Sequence, residues 1–247
     1  MKKVSVEQFS FPVMGAHIED MRATPDNLFG TASYLNNNIF ITAAHSIMNA
    51  NECDKAGILF RDNLEGPSDY SFCAFEDIEL FEDLDIGLGR LKTGHKNCSP
   101  LKWSTEGMIM LEDVCAIGYP FGYNSVEKEI LPRAFKGQIV TRRSFIEFPK
   151  EPKIYELSFH CPKGISGASL RDYKSGKVVG FIIANSSTEI LVFEEKEIDK
   201  NELKKSIFQK YETTKYGVAI DNRELLNTES RLLGDKFLNY LKRENLT

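Results

Sequence analysis

Short runs of β-branched and apolar residues, each closed by a turn signal, recur along this chain and limit what it can fold into. Ile39-Phe40-Ile41, Val114-Cys115-Ala116-Ile117, Gln138-Ile139-Val140 and Val178-Val179-Gly180-Phe181-Ile182-Ile183 are too short for helices and suit strands. Between such runs lie Asn36-Asn37-Asn38 and Lys174-Ser175-Gly176-Lys177, residue types that favour turns. Many short strands with this punctuation predict an all-β barrel or sandwich. The chain has 247 residues, 42% of them hydrophobic, enough apolar material to fill a core without disulfide or metal staples.

The pattern changes toward the end. Leu225, Leu226, Leu232, Leu233, Phe237 and Leu241 recur near helical spacing between Asn222 and Arg243, with charges between them. That spacing predicts one or two amphipathic helices packed on the β structure. The preceding segment, Phe193 to Lys215, is charge-rich. It reads either as a solvated excursion or as one holding a short helix around Asn201 to Gln209.

The formal net charge is -5 and the sequence pI about 5.5, which argues against a nucleic-acid partner. No run approaches the roughly 18 apolar residues of a membrane span, so no membrane partner is expected. The cysteines are Cys53, Cys73, Cys98, Cys115 and Cys161, an odd number with no C-x-x-C pair. That disfavours a zinc ribbon and a complete disulfide framework, and neither metal nor cofactor is expected. Lys2 and Lys3 imitate the start of a signal peptide, but Glu7 and Gln8 break the apolar stretch that should follow. Unpaired thiols and no leader predict a reducing, cytoplasmic location.

Three segments carry chemistry. Gly30-Thr31-Ala32-Ser33-Tyr34-Leu35, the triple-Asn turn and Ile39-Phe40-Ile41-Thr42-Ala43-Ala44-His45 read as a hairpin delivering a histidine past a buried strand. In Asp83-Leu84-Asp85-Ile86-Gly87-Leu88, Asp85 opens an apolar strand, where a buried carboxylate needs a strong hydrogen-bond partner. In Lys163-Gly164-Ile165-Ser166-Gly167-Ala168, glycines flank a serine, a loop type able to aim successive N–H groups into one small space. Each alone reads more readily as packing or a turn. Together they supply, in the order His, Asp, Ser, a base, its orienting acid and a nucleophile. The α/β-hydrolase order starts with serine and needs Gly-x-Ser-x-Gly; Ala168 stands at the last position here.

With these residues in that order, the chain resembles the trypsin/chymotrypsin-fold serine proteases. The carriers are Thr42-Ala43-Ala44-His45, Asp85-Ile86-Gly87-Leu88 and Gly164-Ile165-Ser166-Gly167-Ala168. Val114-Cys115-Ala116-Ile117-Gly118-Tyr119-Pro120-Phe121-Gly122 is similar to a segment of the HtrA-like branch of bacterial trypsin-like peptidases. Gly137-Gln138-Ile139-Val140 and Tyr216-Gly217-Val218-Ala219-Ile220 match two further strands in order. The resemblance implies two perpendicular six-stranded antiparallel β-barrels forming one protease domain. Residues 1–105 would form the barrel with His45 and Asp85, residues 106–222 the barrel with Ser166, and residues 223–247 a helical tail without a PDZ domain.

By that resemblance His45, Asp85 and Ser166 form the catalytic triad, and the backbone N–H groups of Gly164 and Ser166 the oxyanion hole. The substrate pocket would have His160 at its base and Ile183, Ala184 and Asn185 along a wall. Ile165 stands where secreted digestive relatives carry an aspartate that pairs with a newly cut N-terminus, so activation by that ion pair is not available. The resemblance implies a selective intracellular endopeptidase acting on protein or peptide substrates. A catalytically silent trypsin-fold protein-binding module is the alternative. The charged excursion from Ser186 to Lys215 is expected to border the cleft and limit access, or to dock an activating or regulatory protein partner.

Overall fold

A computed structural model describes residues 6–17, 28–61, 70–95, 97–120, 123–124, 129–199 and 204–247. The strands of the first barrel are β1 (Ser10–Ala16), β2 (Leu28–Asn36), β3 (Ile39–Ala43), β4 (Lys55–Arg61), β5 (Tyr70–Phe81) and β6 (Ile86–Leu91), with helix α1 (Ala44–Ala50) between β3 and β4. They close in the order β1-β2-β3-β6-β5-β4. A small two-stranded sheet follows β7 (Asp113–Gly118), formed by β8 (Tyr123–Asn124) and β9 (Glu129–Ile130). The second barrel takes β7, β10 (Arg133–Ser144), β11 (Lys153–Leu157), β12 (Ser169–Asp172), β13 (Val178–Asp199) and β14 (Lys204–Asp221), closed as β10-β11-β14-β13-β12-β7. Counted from its own first strand, the second barrel repeats the order of the first. The fold is all-β, as the strand runs predict.

Local chemistry accounts for the hairpin ahead of His45. Asn37 and Asn38 adopt positive φ of 50° and 63° between β2 and β3, the backbone a tight hairpin turn requires and asparagine tolerates. The β3–β6 register pairs Ala43 with Ile86. Continued by one residue, it sets Ala44 opposite Asp85, and Ala44 N–H donates to Asp85 O at 3.0 Å.

The unbroken apolar runs of β3 and of the start of β13 have a structural cause: those strands are buried on both faces, whereas β7 buries every second residue. Phe40 points into the first barrel with Phe11 and Phe60, which meet it edge to face at 5.4 and 6.0 Å. Its neighbours Ile39 and Ile41 face a second core shared by both barrels. In β14, Ala219 faces the second barrel while Val218 and Ile220 face the shared core.

The C-terminal segment fills that shared core. It is not one continuous helix: α2 (Arg223–Leu226) and α3 (Phe237–Arg243) are separated by a small hairpin of β15 (Glu229–Ser230) and β16 (Asp235–Lys236). The leucines keep their helix-like spacing because all of them bury against one core. Glu79 breaks the helix by capturing the Ser230 hydroxyl at 2.6 Å and the Arg231 and Leu232 N–H groups at 2.8 and 3.0 Å.

Of the two readings of the charge-rich segment, the short helix around Asn201 to Gln209 is corrected. Residues 201–203 lie outside the described residues, but 204–209 belong to strand β14, paired with β13 from Lys204↔Asp199 to Gln209↔Glu194. The charges that suggested a helix face sit instead along a two-stranded ribbon that leaves the barrel. A helix needs an apolar surface to cover, and here Phe193, Phe208 and Tyr211 remain exposed.

Candidate active site

His45 sits in the first turn of α1, directly past β3, and Asp85 sits directly before β6. Asp85 has φ of +49°, a left-handed conformation that aspartate adopts more readily than most residues. The turn aims both carboxylate oxygens at His45. Oδ1 accepts from the His45 backbone N–H at 2.9 Å, and Oδ2 lies 2.6 Å from Nδ1. The carboxylate is thus tied to both the ring and the backbone of one residue, which fixes the ring's direction. With Asp85 ionised, Nδ1 carries the ring proton and Nε2 is the free basic nitrogen. The His45 side chain is 38% exposed and that of Asp85 14%, so the ring is open to solvent while the carboxylate is sheltered.

Ser166 lies in the loop between β11 and β12 of the other barrel. Gly30 brings the two halves together: a side chain there would run into Ser46, next to His45, and into Ser166 O at 2.8 Å. Ser166 is half-buried. Among the described residues no hydrogen bond joins its hydroxyl to His45, a looseness common in such sites before substrate closes them.

The peptide groups of this loop are pinned in an alternating way. Gly164 O accepts from Thr31 Oγ1 at 2.8 Å, and Ile165 N–H donates to Pro162 O at 3.2 Å. Ser166 O accepts from Thr31 N–H at 2.8 Å, and Gly167 N–H donates to Ile182 O at 2.7 Å. The N–H groups between them, those of Gly164 and Ser166, have no partner among the described residues. Gly164 has φ of +98°, and a Cβ there would lie 2.5 Å from Tyr119 O, so only glycine fits.

The other residues proposed for the substrate pocket are placed differently from one another. Ile183 is buried, Ala184 half-buried, and His160 is exposed rather than enclosed at a base. Asn185 reaches across to the main chain beside His160: its Oδ1 accepts from Cys161 N–H at 2.8 Å and its Nδ2 donates to Cys161 O at 2.5 Å. Cys161 is buried, and burial pushes its thiol up to about 12, which makes it a packing group rather than a nucleophile. All five cysteines are free. Neither Thr31 nor Thr42, whose hydroxyl donates to Thr31 O at 2.7 Å, stands out in the sequence as a site residue. Their only signal is that they lie in the segment leading to His45.

Comparison with known proteins agrees with this geometry. Residues 30–181 match the family described as Trypsin-like peptidase domain, and the chain belongs to that family. Its fold is shared with the Rv3671c protease from M. tuberculosis in its active form (14% identity, TM-score 0.59, covering 98% of this chain and 83% of that one). It is shared too with the MamO protease domain from Magnetospirillum magneticum (13% identity, TM-score 0.56, 89% and 94%). An HtrA-type protease, AlgW, solved with a tripeptide, aligns at 16% identity and TM-score 0.56, over 88% of this chain and 57% of that one. Among curated proteins none is detectably similar in sequence. The family membership makes the chain a trypsin-like peptidase, with the fold of the HtrA-type proteases.

Proposed function

We propose that this protein is a serine endopeptidase that cleaves selected protein or peptide substrates through His45, Asp85 and Ser166. The observation that carries the reading is that the Gly164 and Ser166 N–H groups, on either side of the pinned Gly164–Ile165 peptide, have no partner among the described residues, with an oriented imidazole on the facing barrel. Ser166 Oγ attacks the scissile carbonyl carbon while Nε2 of His45 takes its proton. The carbonyl oxygen gains negative charge and accepts from the two free N–H groups, donors whose individual loss typically costs about 100- to 1000-fold in rate. The imidazolium, stabilised by Asp85, then protonates the leaving amine. Water repeats the sequence on the acyl-enzyme and restores Ser166.

The bond between Asn185 and the Cys161 backbone, with Cys161 packed against Gly217, favours a shallow site for the substrate side chain next to the cleaved bond. Small residues are expected there. Free cysteines throughout support a reducing, cytoplasmic location. A fluorophosphonate, which reacts with activated serines, tests the reading. Labelling of the wild type that disappears in Ser166→Ala is expected; a protein that never labels is the silent binding module instead. Comparing new N-termini generated in a proteome by wild type and by Ser166→Ala then names the substrates.

A further inference from the structure

Thr31 is buried in β2 of the first barrel, yet its polar atoms are engaged mainly with the second. Its hydroxyl donates to Gly164 O at 2.8 Å and accepts from Tyr119 N–H at 3.0 Å. Its N–H donates to Ser166 O at 2.8 Å. Its carbonyl accepts from Thr42 Oγ1 at 2.7 Å, and Thr42 stands three residues before His45. A side chain added at Gly167 would collide with that same carbonyl and hydroxyl.

We infer that Thr31 is a positioning residue for the oxyanion donors: its hydroxyl holds the Gly164 carbonyl, and so fixes where the Gly164 N–H points. A peptide N–H next to a pinned carbonyl loses most of its freedom to swing, because only the two backbone dihedrals of one residue separate them. Gly164 is the residue that needs such restraint, since glycine reaches φ on either side of zero with little preference. Pro162 O and Ile182 O hold the Ile165 and Gly167 N–H groups from within the second barrel, and the Thr31 N–H holds Ser166 O. The Gly164 carbonyl is held from across the barrel boundary. Oxyanion geometry in this protein therefore depends on how the two barrels seat against each other, through one threonine hydroxyl. This inference rests on the serine-peptidase reading for its catalytic consequence, but not for the contact itself.

The test compares Thr31→Val, which keeps the shape and removes the hydroxyl, with Thr31→Ser, which keeps the hydroxyl. On an activated ester, Thr31→Val is expected to lower kcat by about 10- to 100-fold with KM changed by less than about 3-fold, somewhat below the loss of an oxyanion donor itself. Thr31→Ser is expected to stay within about 3-fold of wild type in kcat, since the donor is restored. Binding of a peptide boronate, which mimics the tetrahedral state, should weaken in parallel with kcat, while binding of the matching peptide acid should not. A residue with a merely structural role would lower Tm and leave the boronate-to-acid ratio unchanged, and that result overturns the inference. If Thr31→Val does not fold, Thr31→Ala, which leaves room for a water in place of the hydroxyl, carries the same comparison. A wild type that neither labels with fluorophosphonate nor turns over ester refutes the peptidase reading instead. Amide hydrogen exchange still tests the clamp in that case: Tyr119, Ile165 and Gly167 should exchange at least about 10-fold faster in Thr31→Val, and equal rates overturn it.

Discussion

The two barrels share one strand order but hold their chemical groups by different means. The first carries the proposed base and acid, His45 and Asp85, on the ends of regular elements, joined by two hydrogen bonds that never leave that barrel. The second carries the proposed nucleophile, Ser166, on a loop, and two carbonyls of that loop are tied to Thr31 of the first barrel. The acid–base half is self-contained, whereas the nucleophile half is finished only when the barrels meet. Damage to the barrel boundary should therefore disturb the serine loop while leaving the His45–Asp85 pair in place.

The largest expected effects come from the reacting groups themselves. Ser166→Ala and His45→Ala should each remove about a million-fold of kcat, with little more lost in the double variant, because the groups act as a unit. Asp85→Asn should cost about 10,000-fold, since an amide cannot hold the same ring tautomer. Steady-state kinetics on an activated ester reads all of these, and a near-additive double variant would break the proposed cooperation between the barrels.

A smaller effect is expected at the boundary. Gly167 has φ of +86°, and a Cβ there would meet Thr31 O, Thr42 Oγ1 and, at 2.6 Å, Ala43 N. Gly167→Ala should cost about 3 kcal/mol of stability from strain and overlap and should lower kcat, with the His45 resonances in NMR spectra unshifted. Perturbed His45 resonances would show that the first half is not self-contained.

Next comes the ionic seat of β14. Asp221 is fully buried, with Arg142 Nε at 2.9 Å and Arg223 Nη2 at 2.6 Å. Burial acts to raise its pKa, but the two guanidinium groups and the Arg223 N–H outweigh it and hold the carboxyl's pKa below its ordinary value. A folded-state value below the unfolded one adds stability above the unfolded value, and that stability is lost as pH falls through the folded one. Wild type should lose this increment below about pH 4. Asp221→Asn should be less stable at neutral pH and show a shallower acid slope in denaturant titrations between pH 5 and 2, roughly the window where a depressed aspartate titrates.

The mildest effect is expected from the ribbon. Replacing residues 189–213 by an Asn-Gly turn joins Thr188 to its partner Thr214 and, among the described residues, removes none of the buried core. Tm and ester hydrolysis should change little, while the rate or selectivity of protein cleavage should shift. Unchanged protein cleavage would remove the ribbon from any part in access or docking.

The reading of the chain succeeded where the deciding physics is local. The runs of β3 and the start of β13 stand out because both faces of those strands are buried, and the Asn37-Asn38 turn because asparagine tolerates positive φ. The serine loop is legible from Gly164 and Gly167, whose conformations exclude larger side chains. The ribbon was missed because a charge-rich stretch looks alike on a helix and on a solvated strand; only its pairing with β13 separates them. The C-terminal leucine spacing allows one or two helices; the choice of two is not legible locally, because Glu79, which holds the turn between them, is distant in sequence.

By itself, then, the sequence determined the strand class and the turns, and it pointed to His45, Asp85 and Ser166, in that order, as the candidate site, since each is marked by its neighbouring residues. Tertiary structure alone decided that β3 and β6 align Ala44 with Asp85, that the C-terminal leucines bridge both barrels, and that Thr31 reaches Gly164. Those contacts join residues remote along the chain. Their hydrogen bonds exist only once burial removes water as a competing partner, and nothing in the local pattern records which buried group will be opposite.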